Sequence, residues 1–188
     1  MKNDSDVKPV TGEYQEFMLS DLHIQYIPVV TPIKLWKNDM SLKNSPHVEL
    51  MRIFKHCGND WSRIQHTRYV QERRRRGEIG LNWDEKRLKI HLSRRHNVLK
   101  SIRSKGFKKD MRGEKPVRIL EKPIWKTRFN LEEPWLKGYE IWDGGGVCSA
   151  LYALRYKTVK AIIVEDRYPG TGNKGRYEEK LKNVEGVW

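Results

Sequence analysis

Residues 138–166 read GYEIWDGGGVCSALYALRYKTVKAIIVED, and the patterns in them run strand, tight glycine turn, short helix, strand. Tyr139 and Ile141 alternate with Glu140 and Trp142 at the period of a half-buried strand. Val159, Ile162, Ile163 and Val164 lie in an apolar, β-branched run that closes on Glu165 and Asp166, which reads as a second strand. Between them lies one helix, opened by Gly144, Gly145 and Gly146. A glycine turn at a helix start presents free backbone N–H groups, so a phosphate held by this chain is expected at Gly144, Gly145, Gly146 and Val147. Asp143, just ahead of the turn, is the best-placed candidate catalytic residue, and with Glu140, Glu165 or Asp166 it would offer carboxylates to Mg2+. An Asp before a glycine turn more often hydrogen-bonds its own backbone, and that plainer role is favoured here.

The rest of the chain builds around this unit. Residues 23–36 are rich in Ile, Val and Tyr but interrupted by Pro28 and Pro32, the composition of an edge strand or of two short strands. Ser45 and Pro46 start a helix with Leu50, Ile53, Phe54 and Cys57 on one face, and Gly58 ends it. Asp60 caps a second helix that reaches Arg76 and stops at Gly77. The two form a helical hairpin over residues 45–80, with the outline of a helix-turn-helix. A third helix spans residues 84–105, its Leu88, Leu92, Leu99 and Ile102 at helical spacing and Gly106 at its end. From Pro116 the pattern returns to strands, with a long connection over residues 122–136. The expected fold class is α/β or α+β: a mixed sheet with packed helices plus the basic hairpin. One domain over residues 23–168 lies between a flexible arm, residues 1–22, and a tail, residues 169–188.

Several of these features together carry a resemblance. The stretch from Tyr139 to Gly144, Ala150 and Leu154 in the helix, and the strand from Val159 to Val164 resemble the ParB/sulfiredoxin-like superfamily, in which a strand ending in Asp-Gly leads into an Ala-rich helix. Leu99 to Gly106, followed by Pro116-Val-Arg-Ile119, is similar to the family's entry of helix, Gly and Pro-Val strand. The likeness covers about residues 92–168. It implies a ParB-like domain of the stand-alone kind found in phages and mobile elements, with CTP or ATP and Mg2+ as the cofactors a functional turn would take. Val147 stands where the family's phosphate-binding Arg belongs, and Gly145 where sulfiredoxins carry their catalytic Cys, so Cys148 is not that residue.

Charge gives the second lead. The 188 residues carry 38 Lys and Arg against 24 Asp and Glu, a net charge of +14, and residues 52–109 alone hold 18 cations against 5 carboxylates. A block of this kind is the footprint of a phosphate-backbone partner. On the second helix Arg63, Arg68 and Tyr69 precede Arg73, Arg74, Arg75 and Arg76, cations with an aromatic among them, suited to phosphates and to stacking on bases. On the third, Arg94, Arg95, Lys100, Arg103 and Lys105 accompany an apolar stripe, and residues 86–109 contain no acidic residue. The competing reading is a solvated helix face.

The expected function is therefore sequence-tolerant binding of nucleic acid, DNA ahead of RNA, through phosphate contacts. The rival is a nucleotide-dependent phosphotransferase, NTP hydrolase or nuclease using the turn after Asp143, and a third reading is a degenerate interaction scaffold. A second copy of the chain is a further candidate partner, and a membrane is not. Six His show no metal-ligand spacing, and Cys57 and Cys148 form no Cys-x-x-Cys pair, so no metal site and reduced thiols are expected. No phosphate-loop, Gly-x-Ser-x-Gly or His-Glu-x-x-His motif occurs, which leaves no self-announcing enzyme class. The start of the sequence is polar and no apolar run approaches a membrane span, so a cytoplasmic protein, in the host cytoplasm if phage-encoded, is expected.

Overall fold

Ser45 starts the first helix as its sequence requires: its hydroxyl accepts from the Val48 N–H at 3.3 Å, and Pro46 occupies the first helical position, where no N–H is needed. A computed structural model of the chain describes residues 7–9, 13–24, 41–78, 80, 83–107, 116–120 and 139–166. In it α1 is Pro46–Cys57, α2 Trp61–Ile64, α3 Arg68–Glu78, α4 Glu85–Lys105 and α5 Gly145–Ala153. The strands are β1 Val7–Pro9, β2 Gln15–Met18, β3 Leu22–Ile24, β4 Arg118–Leu120, β5 Tyr139–Asp143 and β6 Thr158–Asp166.

The sheet runs β1-β6-β4-β5-β3, with β2 as a further antiparallel partner of β6. Pairing is parallel between β3 and β5 and between β4 and β6, and antiparallel between β4 and β5 and between β1 and β6. This mixed sheet with helices makes the class α+β. The β5–α5–β6 unit is not a parallel βαβ. Its two strands flank β4, which is antiparallel to β5 and parallel to β6.

Apolar periodicity explains the core. Val48, Leu50, Met51 and Phe54 of α1, Leu88, Leu92, Leu99 and Ile102 of α4, and Val147, Cys148, Ala150 and Leu151 of α5 join Ile119, Ile141, Val159 and Ala161 of the sheet in one cluster. Leu120 and Val164, with Trp142 and Ile162 against them, form a smaller cluster of their own.

Three expectations are corrected. Residues 1–22 are not simply a flexible arm, because Val7–Pro9 and Gln15–Met18 pair along β6, and Phe17 enters the core. The second helix of the hairpin is two helices: the Thr67 hydroxyl donates to the Ile64 carbonyl at 2.8 Å and accepts from the Val70 N–H at 3.4 Å, ending one helix and capping the next. Gly77 is not a stop signal, since α3 continues to Glu78. A Cβ there would collide with the Trp83 carbonyl oxygen, so this glycine lets α3 meet the chain entering α4. Of the edge strand expected over residues 23–36, His23 and Ile24 belong to β3, and residues 25–36 lie outside the described residues, as do the connection at 122–136 and the tail at 169–188.

Candidate nucleic-acid interface

Trp83 sits one residue before the Asp84 cap of α4, whose carboxylate accepts from the Arg87 N–H. That position brings it against α3. The Arg73 guanidinium lies 4.3 Å from the Trp83 ring centroid and 5.0 Å from that of Tyr69, with Arg87 5.2 Å from Trp83 and Arg95 4.9 Å from Tyr69. The result is a ladder of cation–ring contacts, Arg87–Trp83–Arg73–Tyr69–Arg95. Tyr69 is fully buried, and its hydroxyl accepts from Arg95 Nε at 2.9 Å. It packs the interior and is not available to stack on a base.

The ladder sets the electrostatics around it. His47 meets the Tyr69 ring edge-on at 4.9 Å, and His91 lies edge-on to Trp83 at 5.2 Å. Burial first, then the charges of Arg95 and Arg73, hold His47 well below the usual imidazole value and push His91 down to about 3. Burial alone would raise the Tyr69 pKa, but Arg73 and Arg95 outweigh it and lower the value. Both imidazoles are neutral at pH 7.

This has a measurable consequence for stability. Below about pH 6.5 the unfolded imidazoles take up protons that the folded cluster excludes, so the stability they contribute is complete above that value and is lost as the pH falls toward the folded pKa. Each histidine should lower the unfolding free energy by up to about 1.4 kcal/mol per pH unit between about pH 6 and 4.5. Urea unfolding of the wild type beside His91→Asn over that range measures it. The variant should lose about one proton's worth of slope, and equal slopes would contradict the assignment.

The arginines of the hairpin are mostly committed within the fold. Arg68 Nε is 2.7 Å from Glu49 Oε2, and its guanidinium also donates to the Asn44 carbonyl at 2.8 Å, tying α3 to α1. Arg74 Nε is 2.7 Å from Glu85, Arg75 is 3.0 Å from Glu78, and Arg63 is 3.7 Å from Asp60 and donates to Cys57 Sγ at 3.3 Å. Arg73 is in the ladder and Arg76 is half-buried. A reading helix needs an outward basic face, and α3 does not keep one.

The outward face of α4 is different. Lys86, Lys89, Arg94, Lys100, Arg103 and Lys105 are all exposed, with Ser93, Asn97 and Ser104 among them. None of these six cations has a carboxylate partner among the described residues. The helix is 21 residues long, so at about 1.5 Å per residue the cations are spread over roughly 30 Å. That is several phosphate spacings of a duplex.

At the glycine turn, Asp143 Oδ1 accepts from the Gly144 N–H at 2.8 Å, the backbone role favoured by its position. Gly144 is left-handed at φ 98°, and a Cβ there would come within 3.0 Å of Val117. Val147 is buried in the core rather than facing a ligand. Gly145 is open, while Gly146 faces Arg95: a Cβ at Gly146 would lie 3.2 Å from Arg95 Nη1, a buried nitrogen with no hydrogen-bond partner among the described residues. Cys148 is fully buried within α5, and Glu140 is fully buried on β5. No group of three metal-ligating side chains occurs among the described residues, and the side chains of Glu165 and Asp166 lie outside them.

Sequence reading missed Trp83 and Arg87, whose signal was an aromatic just ahead of a helix cap and a cation four residues on. It also missed Arg95 as a neighbour of the glycine turn, since that contact joins residues 51 positions apart. Compared with protein-family models, curated proteins and solved structures, the chain matches none. No helix among the described residues is long and apolar enough to cross a membrane.

Proposed function

We propose that the chain binds nucleic acid, DNA ahead of RNA, with little sequence preference, laying α4 along the phosphate backbone. One observation carries this: the exposed face of α4 holds six cations without a carboxylate partner among the described residues, whereas the hairpin arginines around it are paired or stacked. Unpaired cations on a rigid helix release counterions when phosphates replace water, and flanking Ser93 and Asn97 add hydrogen bonds to phosphate oxygens. Such contacts fix position without reading bases. The motif likeness at residues 92–168 agrees with a ParB-like domain of phage or mobile-element type working in the cytoplasm.

The second reading, a nucleotide-dependent enzyme, is favoured by one observation, the approach of Arg95 to Gly146. Arg95 would supply from α4 the guanidinium that Val147 does not supply from the turn, with the Gly145 and Gly146 N–H groups beside it. The carboxylate of Asp143, next to the same turn, opposes an anion there.

Fluorescence anisotropy with two duplexes of unrelated sequence at about 50 mM salt separates the readings. Micromolar or tighter binding, equal within a few-fold on both, supports the phosphate-contact function. No binding, or a preference above about tenfold for one duplex, overturns it. CTP or ATP with Mg2+ should not displace the duplex, and displacement at micromolar nucleotide that disappears in Arg95→Met would promote the enzyme reading.

A further inference from the structure

A cleft of about 460 Å³ opens between the end of α1, the turn after α5 and the end of β2, away from the glycine turn and on residues that carry no role above. Five of its lining residues are basic in type, Arg52, Lys55 and His56 from α1 and Arg155 and Lys157 from the turn, and among the described residues no carboxylate lines it. Arg52, Lys55 and His56 fall on one face of α1 through i, i+3 and i+4 spacing. Lys55 Nζ is held by the Ala153 carbonyl at 3.2 Å, which fixes its position at the cleft wall. None of the four Lys and Arg has a carboxylate partner among the described residues. Tyr152 and Tyr156 supply aromatic surface, and Tyr156 is 41% exposed.

The backbone adds an independent observation. The Tyr156 N–H donates to the Leu151 carbonyl at 3.0 Å and the Arg155 N–H to the Tyr152 carbonyl at 3.0 Å, which is the Schellman ending of a helix. Its left-handed position normally carries glycine. Here it carries Arg155, at φ 68°, the one non-glycine residue with positive φ among the described residues. A side chain is kept where the backbone disfavours one, and that side chain is a cation on the cleft.

We propose that this cleft binds one nucleotide of a single-stranded nucleic acid, with the base stacked on Tyr156 and the adjoining phosphates on the cations of α1 and of the turn. Cations around an aromatic platform are the combination that single-strand binding uses, because every base has a π-face and every nucleotide a phosphate. The cleft lies within the range of small-ligand sites, about 300–1,000 Å³. A duplex keeps its bases stacked inside and cannot present one to Tyr156, so the cleft and the α4 face select different forms of the same polymer. The proposal rests on the nucleic-acid reading but uses other residues.

Anisotropy with labelled oligo-dT and oligo-rU, a duplex, and an abasic sugar-phosphate oligomer tests it. Tyr156→Ala should weaken binding of oligo-dT or oligo-rU on the order of tenfold, Tyr156→Phe by less than about twofold, and neither should change duplex affinity. The abasic oligomer should bind the wild type as weakly as the base-bearing strand binds Tyr156→Ala. Arg155→Gly should weaken single-strand binding while raising the melting temperature by about 2–4 °C, because glycine relieves the left-handed backbone. Equal loss on abasic and base-bearing strands, or no effect of Tyr156→Ala, overturns the cleft and leaves the α4 reading standing. Tyr156-dependent single-strand binding without duplex binding overturns α4 as the duplex contact and leaves the cleft standing.

Discussion

Converting Lys89, Lys100 and Arg103 together to glutamate should weaken duplex binding by about a thousandfold at low salt. The expectation comes from counting charges on α4. Each phosphate neutralised on a duplex contributes about −0.9 to the slope of log affinity against log salt, so six cations give a slope near −5. The wild type should then lose on the order of a thousandfold between about 50 and 200 mM salt. Removing three contacts should reduce the slope by about three, and the added carboxylates repel the phosphates that remain. Reversing Arg74 and Arg75 provides the contrast, because these side chains are already paired with Glu85 and Glu78. Their reversal should cost less than about tenfold in binding, and in stability more than the roughly 1 kcal/mol of a lost exposed ion pair, because it sets carboxylate against carboxylate. A slope shallower than about −2, or equal losses from the two sets of reversals, would remove α4 from the interface.

The contrast between α3 and α4 also shows where sequence reading succeeds. The apolar stripe of α4 at Leu88, Leu92, Leu99 and Ile102 fixes which residues face the core, and the structure buries those four. The glycine turn, α5 and β6 are likewise legible, because they rest on local signals: two-residue alternation, a β-branched run and a turn of glycines. Charge is a different matter. Arg73 to Arg76 and the cations of α4 look alike as compositions, yet the first set meets Glu78, Glu85 and Trp83, while Lys86, Lys89, Arg94, Lys100, Arg103 and Lys105 meet water. Which cation finds a carboxylate or a ring depends on how α3 and α4 pack, and periodicity carries no information about that. The N-terminal strands were hidden for a related reason. Residues 7–9 and 15–18 are short and show no sustained alternation, and they become strands through pairing with β6 rather than through their own propensity.

Tyr69 is where a single substitution should damage the fold most. Its ring is fully buried, contacts the Arg73 and Arg95 guanidinium groups, and touches His47 edge-on. Tyr69→Ala removes that volume at a cost of about 3–5 kcal/mol. It also removes the aromatic ring from beside two cations and the acceptor from Arg95 Nε. Domains of ordinary stability have about 5–15 kcal/mol in total, so this variant should sit near the limit of folding. Tyr69→Phe isolates the hydroxyl: the ring and its cation contacts remain, Arg95 Nε loses its 2.9 Å partner, and about 1–3 kcal/mol should be lost. Adding Arg95→Met to Tyr69→Phe removes the stranded donor and one of the mutually repelling charges, so the double variant should recover much of that loss. Urea unfolding of these three variants and of Arg95→Met alone measures these differences. A Tyr69→Phe protein within about 0.5 kcal/mol of wild type, or a double variant weaker than the sum of its singles, would show that the ladder's stability comes from the rings alone.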